Sequence, residues 1–152
     1  MAEALAEARR AGAEGEVPVG AIVVCGGRVV GRGRNARERL RDPVAHAELL
    51  ALQEASRTLG RWRLSGCQLY VTLEPCFMCA GALVNARLDS LVFSVRDPKA
   101  GAVGSLADVC RDARLNHQVA VSEGPLAAEC GQLLRSFFRE RREKRKLPPT
   151  EP

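Results

Sequence analysis

Apolar and polar residues change period several times along the chain, and each change marks an element. Residues 2–13 interleave Ala and Leu with Glu and Arg, a helical composition with few large apolar side chains, so they read as a helix that covers a core. From Val19 to Cys25 the chain is mostly apolar and β-branched; Gly26-Gly27 follows, and Val29-Val30 resume the pattern up to Asn35, which together predict a β-hairpin. Asp42-Pro43 offers an N-cap and a first helical residue, with Leu49, Leu50 and Leu52 behind it, so a helix is expected from there to about Arg57, ahead of Gly60. Residues 67–73 read as a strand ended by Glu74-Pro75, residues 76–87 have helical composition, and residues 91–95 and 118–121 read as short strands. A last helix is expected from near Pro125, with Leu126, Cys130, Leu133, Leu134, Phe137 and Phe138 spaced by three and four on one face. Two adjacent prolines mark residues 147–152 as a disordered tail.

This order is an α/β pattern, most simply one mixed sheet covered by helices on both faces. The 152 residues suit one domain, expected over residues 1–146, and contain no internal repeat. Hydrophobic residues at 46% and charged residues at 27% exclude a disordered or fibrous chain. No run approaches the roughly 18 apolar residues of a membrane span. The N-terminus alternates Ala with Glu and Arg where a signal peptide would be apolar, so the expected compartment is the cytoplasm. The six cysteines are too sparse and irregular for a secreted disulfide framework, and most are expected to be reduced.

Charge adds a location. Residues 135–146 hold seven Lys or Arg against two Glu, so the net +5 of the chain sits there and the remainder is neutral. A neutral body with a basic C-terminal helix suits a polyanionic partner, although cations also gather at helix C-termini for the dipole alone.

Candidate chemistry falls in two segments, His46-Ala47-Glu48 and Pro75-Cys76-Phe77-Met78-Cys79. Cysteines three apart share one face of a helix, and a helix N-terminus favours the thiolates that zinc binds. A Cys-x-x-Cys alone fits a redox pair or a structural zinc half-site equally well. His46, one of two histidines, completes a set of three ligands, and no further Cys-x-x-Cys is present to close a tetrahedron. Three protein ligands leave zinc a position for a water of lowered pKa, which separates a catalytic ion from a structural one. Glu48 then has the place of a carboxylate that moves that water's proton. Residues two apart lie about 200° from each other in a helix interior, so His46 and Glu48 converge only in an irregular first turn. One zinc per chain, held by His46, Cys76 and Cys79 with Glu48 as proton shuttle, is therefore expected.

H-x-E followed by P-C-x-x-C is a mark of zinc-dependent nucleobase deaminases. The chain resembles the bacterial tRNA-specific adenosine deaminases in Glu16-Val17-Pro18-Val19-Gly20, in Asp42-Pro43-Val44 leading to His46-Ala47-Glu48, in Thr72-Leu73-Glu74-Pro75-Cys76, in Gly104-Ser105-Leu106 and in Leu115-Asn116-His117. The resemblance implies a three-layer α/β/α, cytidine-deaminase-like fold around a central mixed five-stranded sheet. It implies a homodimer with active sites near the subunit boundary, and hydrolysis of adenosine to inosine at the wobble position of a tRNA anticodon loop. It implies substrate contacts from Asn35, Ala47, Asp97, Lys99, Asn116, Phe138 and Arg142. Two other readings remain open: a deaminase of free guanine, cytidine or deoxycytidylate, against which the basic helix argues, and a non-catalytic zinc-bearing RNA-binding subunit, which would have no use for Glu48.

Overall fold

The computed structural model describes residues 1–146; the tail expected to be disordered, residues 147–152, lies outside the described residues. In chain order the elements are α1 (Ala2–Ala13), β1 (Gly20–Cys25), β2 (Arg28–Arg34), α2 (Arg37–Leu40), α3 (Ala47–Leu59), β3 (Cys67–Leu73), α4 (Phe77–Asn85), β4 (Ser90–Val95), β5 (Ala120–Glu123) and α5 (Ala127–Lys146). The strands form one five-stranded sheet ordered β2-β1-β3-β4-β5. β1 is antiparallel to β2 and β3, whereas β4 is parallel to β3 and β5 to β4, so the sheet is mixed. No helix among the described residues is long and apolar enough to cross a membrane.

Glycine positions decide which helix covers which face. Gly20 lies opposite Arg34, while Ala21 and Val23 lie opposite Gly33 and Gly31, so Gly20 faces one way and the other two glycines face the other. A Cβ on Gly20 would stand 2.1 Å from the Ala4 carbonyl oxygen, and one on Gly33 would stand 2.0 Å from that of Ala47. α1 therefore rests on one face and α3 on the other, each at backbone contact. The larger core fills the α3 face, where Val23, Leu69, Val71, Leu91 and Phe93 meet Ala51, Ala55, Ala80 and Leu83. α5 packs beside α1, and Ser94 at the end of β4 donates from Oγ to the Pro125 carbonyl at 2.7 Å, fixing where that helix enters.

Several boundaries differ from the local pattern. α3 starts at Ala47 with His46 as its N-cap, not at Asp42-Pro43; Asp42 Oδ1 instead accepts the Val44 N–H at 2.9 Å in a turn of its own. The short α2 is absent from the pattern because its partner is distant: buried Glu16 accepts the Glu38 and Arg39 N–H groups at 3.3 and 2.7 Å. α5 starts at Ala127, two residues late, because Leu126 takes a left-handed φ of 67° and cannot continue a helix.

Candidate active site

Two helix N-termini converge where β3 ends. His46 is the N-cap of α3 and Cys76 the N-cap of α4, both with extended backbone, and neither side chain makes a capping hydrogen bond. Their side chains are thus free to meet. His46 Nδ1 lies 3.7 Å from Cys76 Sγ and 3.5 Å from Cys79 Sγ, and the three donor atoms are within 4.8 Å of one another. Cys79 is buried and the other two are half-buried. Hydrogen bonding from Cys79 and then His46 holds the Cys76 thiol down at about 3, while Cys76 and burial push the Cys79 thiol up. His46 in turn is raised by Cys76.

Glu48 is the second residue of α3, so the first-turn placement that lets it face His46 is met, although the cap that produces it is His46 itself. It is 4% exposed, and burial pushes its carboxyl up to about 7. Such a group exchanges protons readily near neutral pH. A cavity of about 150 Å³ opens beside it, lined by His46, Glu48 and Cys76 and by Asn35, Ala47 and Asp97. Three of the seven residues expected to contact substrate are therefore gathered with the donor cluster. Asn35 is buried and its amide donates to the Val17 carbonyl at 3.2 Å, which fixes its orientation in the wall. Asp97 Oδ1 accepts the N–H groups of Lys99 and Ala100 at 3.0 and 3.1 Å, so this carboxylate shapes a turn at the rim.

Lys99, Phe138 and Arg142 line a second cavity of about 750 Å³, with Arg96, Arg135 and Arg139. It shares Val17, Leu73 and Asp97 with the first, so the two lie side by side. Asn116 lines neither. It is exposed in the loop where His117 Nε2 meets the Leu88 carbonyl at 2.7 Å, by the opposite end of β4.

One residue read only as a strand terminator has a larger part. Glu74 is 2% exposed, and its carboxylate accepts the N–H groups of Asp97 at 2.9 Å, Val103 at 3.1 Å and Ser105 at 3.0 Å, and the Ser105 hydroxyl. Burial raises its pKa, but the Ser105 hydroxyl and those N–H groups outweigh burial and leave it below the ordinary carboxylate range. Gly101 has no side chain because Glu74 occupies that space: a Cβ there would lie 2.3 Å from the carboxyl carbon. The signal in the sequence is a lone acid closing a buried strand.

A model of the MafB19-like deaminase family matches residues 1–142. The chain is 49% identical over 146 residues to a tRNA-specific adenosine deaminase of Bacillus subtilis (strain 168), covering 96% of this chain and 91% of that one. It superposes at a TM-score of 0.83 and 44% identity on a structure from a study of A-to-I editing by tRNA:A34 deaminases at the wobble position, covering 86% of this chain and 95% of that one. A guanine deaminase from Nitrosomonas europaea gives a TM-score of 0.74 at 28% identity, covering 91% and 82%. Identity of nearly one residue in two, sustained over almost the whole of both chains, makes this protein a member of the tRNA-specific adenosine deaminase family.

Proposed function

We propose that the protein hydrolyses adenosine to inosine at the wobble position of a tRNA anticodon, with one zinc per chain, in the cytoplasm. The observation that carries this reading is a buried glutamate beside a His/Cys/Cys cluster, in a small cavity that adjoins a larger one bearing Arg and an exposed Phe. The cluster suits zinc: two sulfurs and an imidazole nitrogen are mutually close, at helix N-termini that favour thiolates, and a cation there would replace the protons they now share. His46, Cys76 and Cys79 would hold it. Zinc in such a site supplies a Lewis acid that makes water nucleophilic near neutral pH.

Every other part of the chemistry falls to side chains of the chain. Glu48 accepts a proton from the attacking water and delivers it to the ring nitrogen next to the amine-bearing carbon. It then moves a proton to the departing amine, so water is consumed and ammonia leaves. Asn35 and Ala47 hold the base in the small cavity, with Asp97 at its rim. Phe138 offers a face to an unstacked neighbouring base, and Lys99 and Arg142 reach phosphates, an arrangement suited to a splayed anticodon loop. Asn116 meets a substrate in this scheme only from a second copy of the chain, which fits a homodimer with its sites near the subunit boundary.

Turnover of a tRNA anticodon stem-loop, assayed beside free guanine, cytidine and deoxycytidylate, tests the substrate. Deamination of a free base with none of the stem-loop would overturn it. Elemental analysis tests the metal: one zinc per chain is expected, absent from Cys79→Ala. Zinc at full stoichiometry in that variant would reassign the ligands.

A further inference from the structure

A second pair of thiols stands at the end of the sheet away from the active site. Cys25, the last residue of β1, lies directly across the antiparallel ladder from Cys67, the first residue of β3. The Cys67 N–H donates to the Leu64 carbonyl and its own carbonyl accepts from the Asp89 N–H, both at 3.1 Å, so neither backbone group points at Cys25. Pairs of that kind have the closer approach in an antiparallel ladder, about 4.5 Å between Cα atoms, within the roughly 4.4–6.8 Å that a disulfide spans. Opposed positions send both side chains to the same face of the sheet, and burial, followed by the Cys25 thiol, pushes the Cys67 thiol up to about 11. Cys25 is partly exposed beside the open Gly26-Gly27 turn, whereas Cys67 is fully covered. That arrangement gives one thiol reachable from solvent and a second poised behind it. Cys110 and Cys130 are buried and unpaired by comparison, and burial pushes Cys110 up to about 12.

We propose that Cys25 and Cys67 are a redox modification site, which closes to a reversible disulfide on reaction with a hydroperoxide. The Cys25 thiolate attacks one peroxide oxygen, the O–O bond breaks, and a sulfenic acid and water form. The Cys67 sulfur then displaces the sulfenic oxygen as a second water. Two thiols and one hydrogen peroxide become one disulfide and two waters, so the sulfurs lose the two electrons that the peroxide gains. The bridge ties β1 to β3 more than about 20 Å along β3 from Cys76, and it draws on none of the metal-donor side chains.

The test titrates the zinc-loaded protein with hydrogen peroxide until half of Cys25 is consumed, alkylates the remaining thiols after denaturation, and maps peptides by mass spectrometry. Consumed Cys25 should be recovered in a peptide linked to Cys67, lighter by two hydrogens than the free pair and restored by dithiothreitol. In Cys67→Ser the same treatment should leave Cys25 as a sulfenic acid captured by dimedone. Recovery of Cys25 as sulfinic acid, or bridged to a second chain, with Cys67 still alkylated, would overturn the proposal. So would a Cys25 that outlasts Cys110 and Cys130 in the titration.

Discussion

Two buried glutamates flank the donor cluster at the same sequence distance, Glu48 two residues after His46 and Glu74 two residues before Cys76, and the fold gives them opposite surroundings. Around Glu48 burial dominates and its carboxyl is held near neutrality, ready to gain or lose a proton. Around Glu74 three backbone N–H groups and a hydroxyl outweigh burial, and the carboxylate stays charged as a fixed acceptor. What separates them is the supply of donors: the carboxylate proposed to move protons is left short of partners, and the one that holds a loop is saturated. The loop that Glu74 holds carries Asp97 and Ala100, which line the same small cavity as Glu48. In the proposed reaction Glu48 moves the protons, and Glu74 keeps the wall of the cavity in which it would happen.

Substitution of Glu48 should break this comparison most strongly. Glu48→Gln keeps size and reach but cannot accept a proton, and single-turnover inosine formation in an anticodon stem-loop should fall by about 10²–10⁴-fold. Zinc content and affinity for the same RNA should change little, and the melting temperature should not drop, because a neutral amide suits a site poor in donors. Deamination within threefold of the parent, with zinc retained, would remove Glu48 from the mechanism.

Glu74→Gln should do the reverse. One of its acceptor oxygens becomes an NH2 aimed at N–H groups, which leaves buried donors unpaired at about 2–4 kcal/mol, or roughly 5–15 °C in melting temperature for a domain of this size. The rim of the cavity loosens, so KM for the stem-loop should rise by a larger factor than kcat falls. Gly101→Ala should repeat the pattern by pushing the same carboxylate out of place, while the distant face of the sheet is undisturbed. A melting temperature unchanged in both variants would show that the loop holds itself.

The smallest effect bounds the comparison from outside. Ending the chain after Phe138 removes Arg139 and Arg142 from the larger cavity but touches neither glutamate. The slope of log affinity against log salt should flatten by about 0.7 for each single-strand phosphate that the shortened helix no longer neutralises. Zinc content should be unchanged, and the chemical step on bound RNA nearly preserved. An unaltered slope would make the basic run a solvated helix end.

Local sequence determined a good part of this protein. Helical composition marked α1 to the residue, and the stretch stopped by Glu74-Pro75 marked β3 to the residue. Gly26-Gly27, both at positive φ, made the hairpin turn, because only residues without a Cβ adopt that geometry freely. The donor set was legible for a related reason: few residue types bind zinc, and His-x-Glu and Cys-x-x-Cys are each short-range patterns. Tertiary structure decided what depends on partners far along the chain. α2 exists because Glu16 caps it from the other side of the hairpin, and α3 starts at Ala47, where its backbone lies against Gly33 and Gly31. The contrast between Glu48 and Glu74 belongs to this second class. A carboxylate's proton affinity is set by the donors and the burial around it, and those arrive from residues 97–105 only when the sheet has closed.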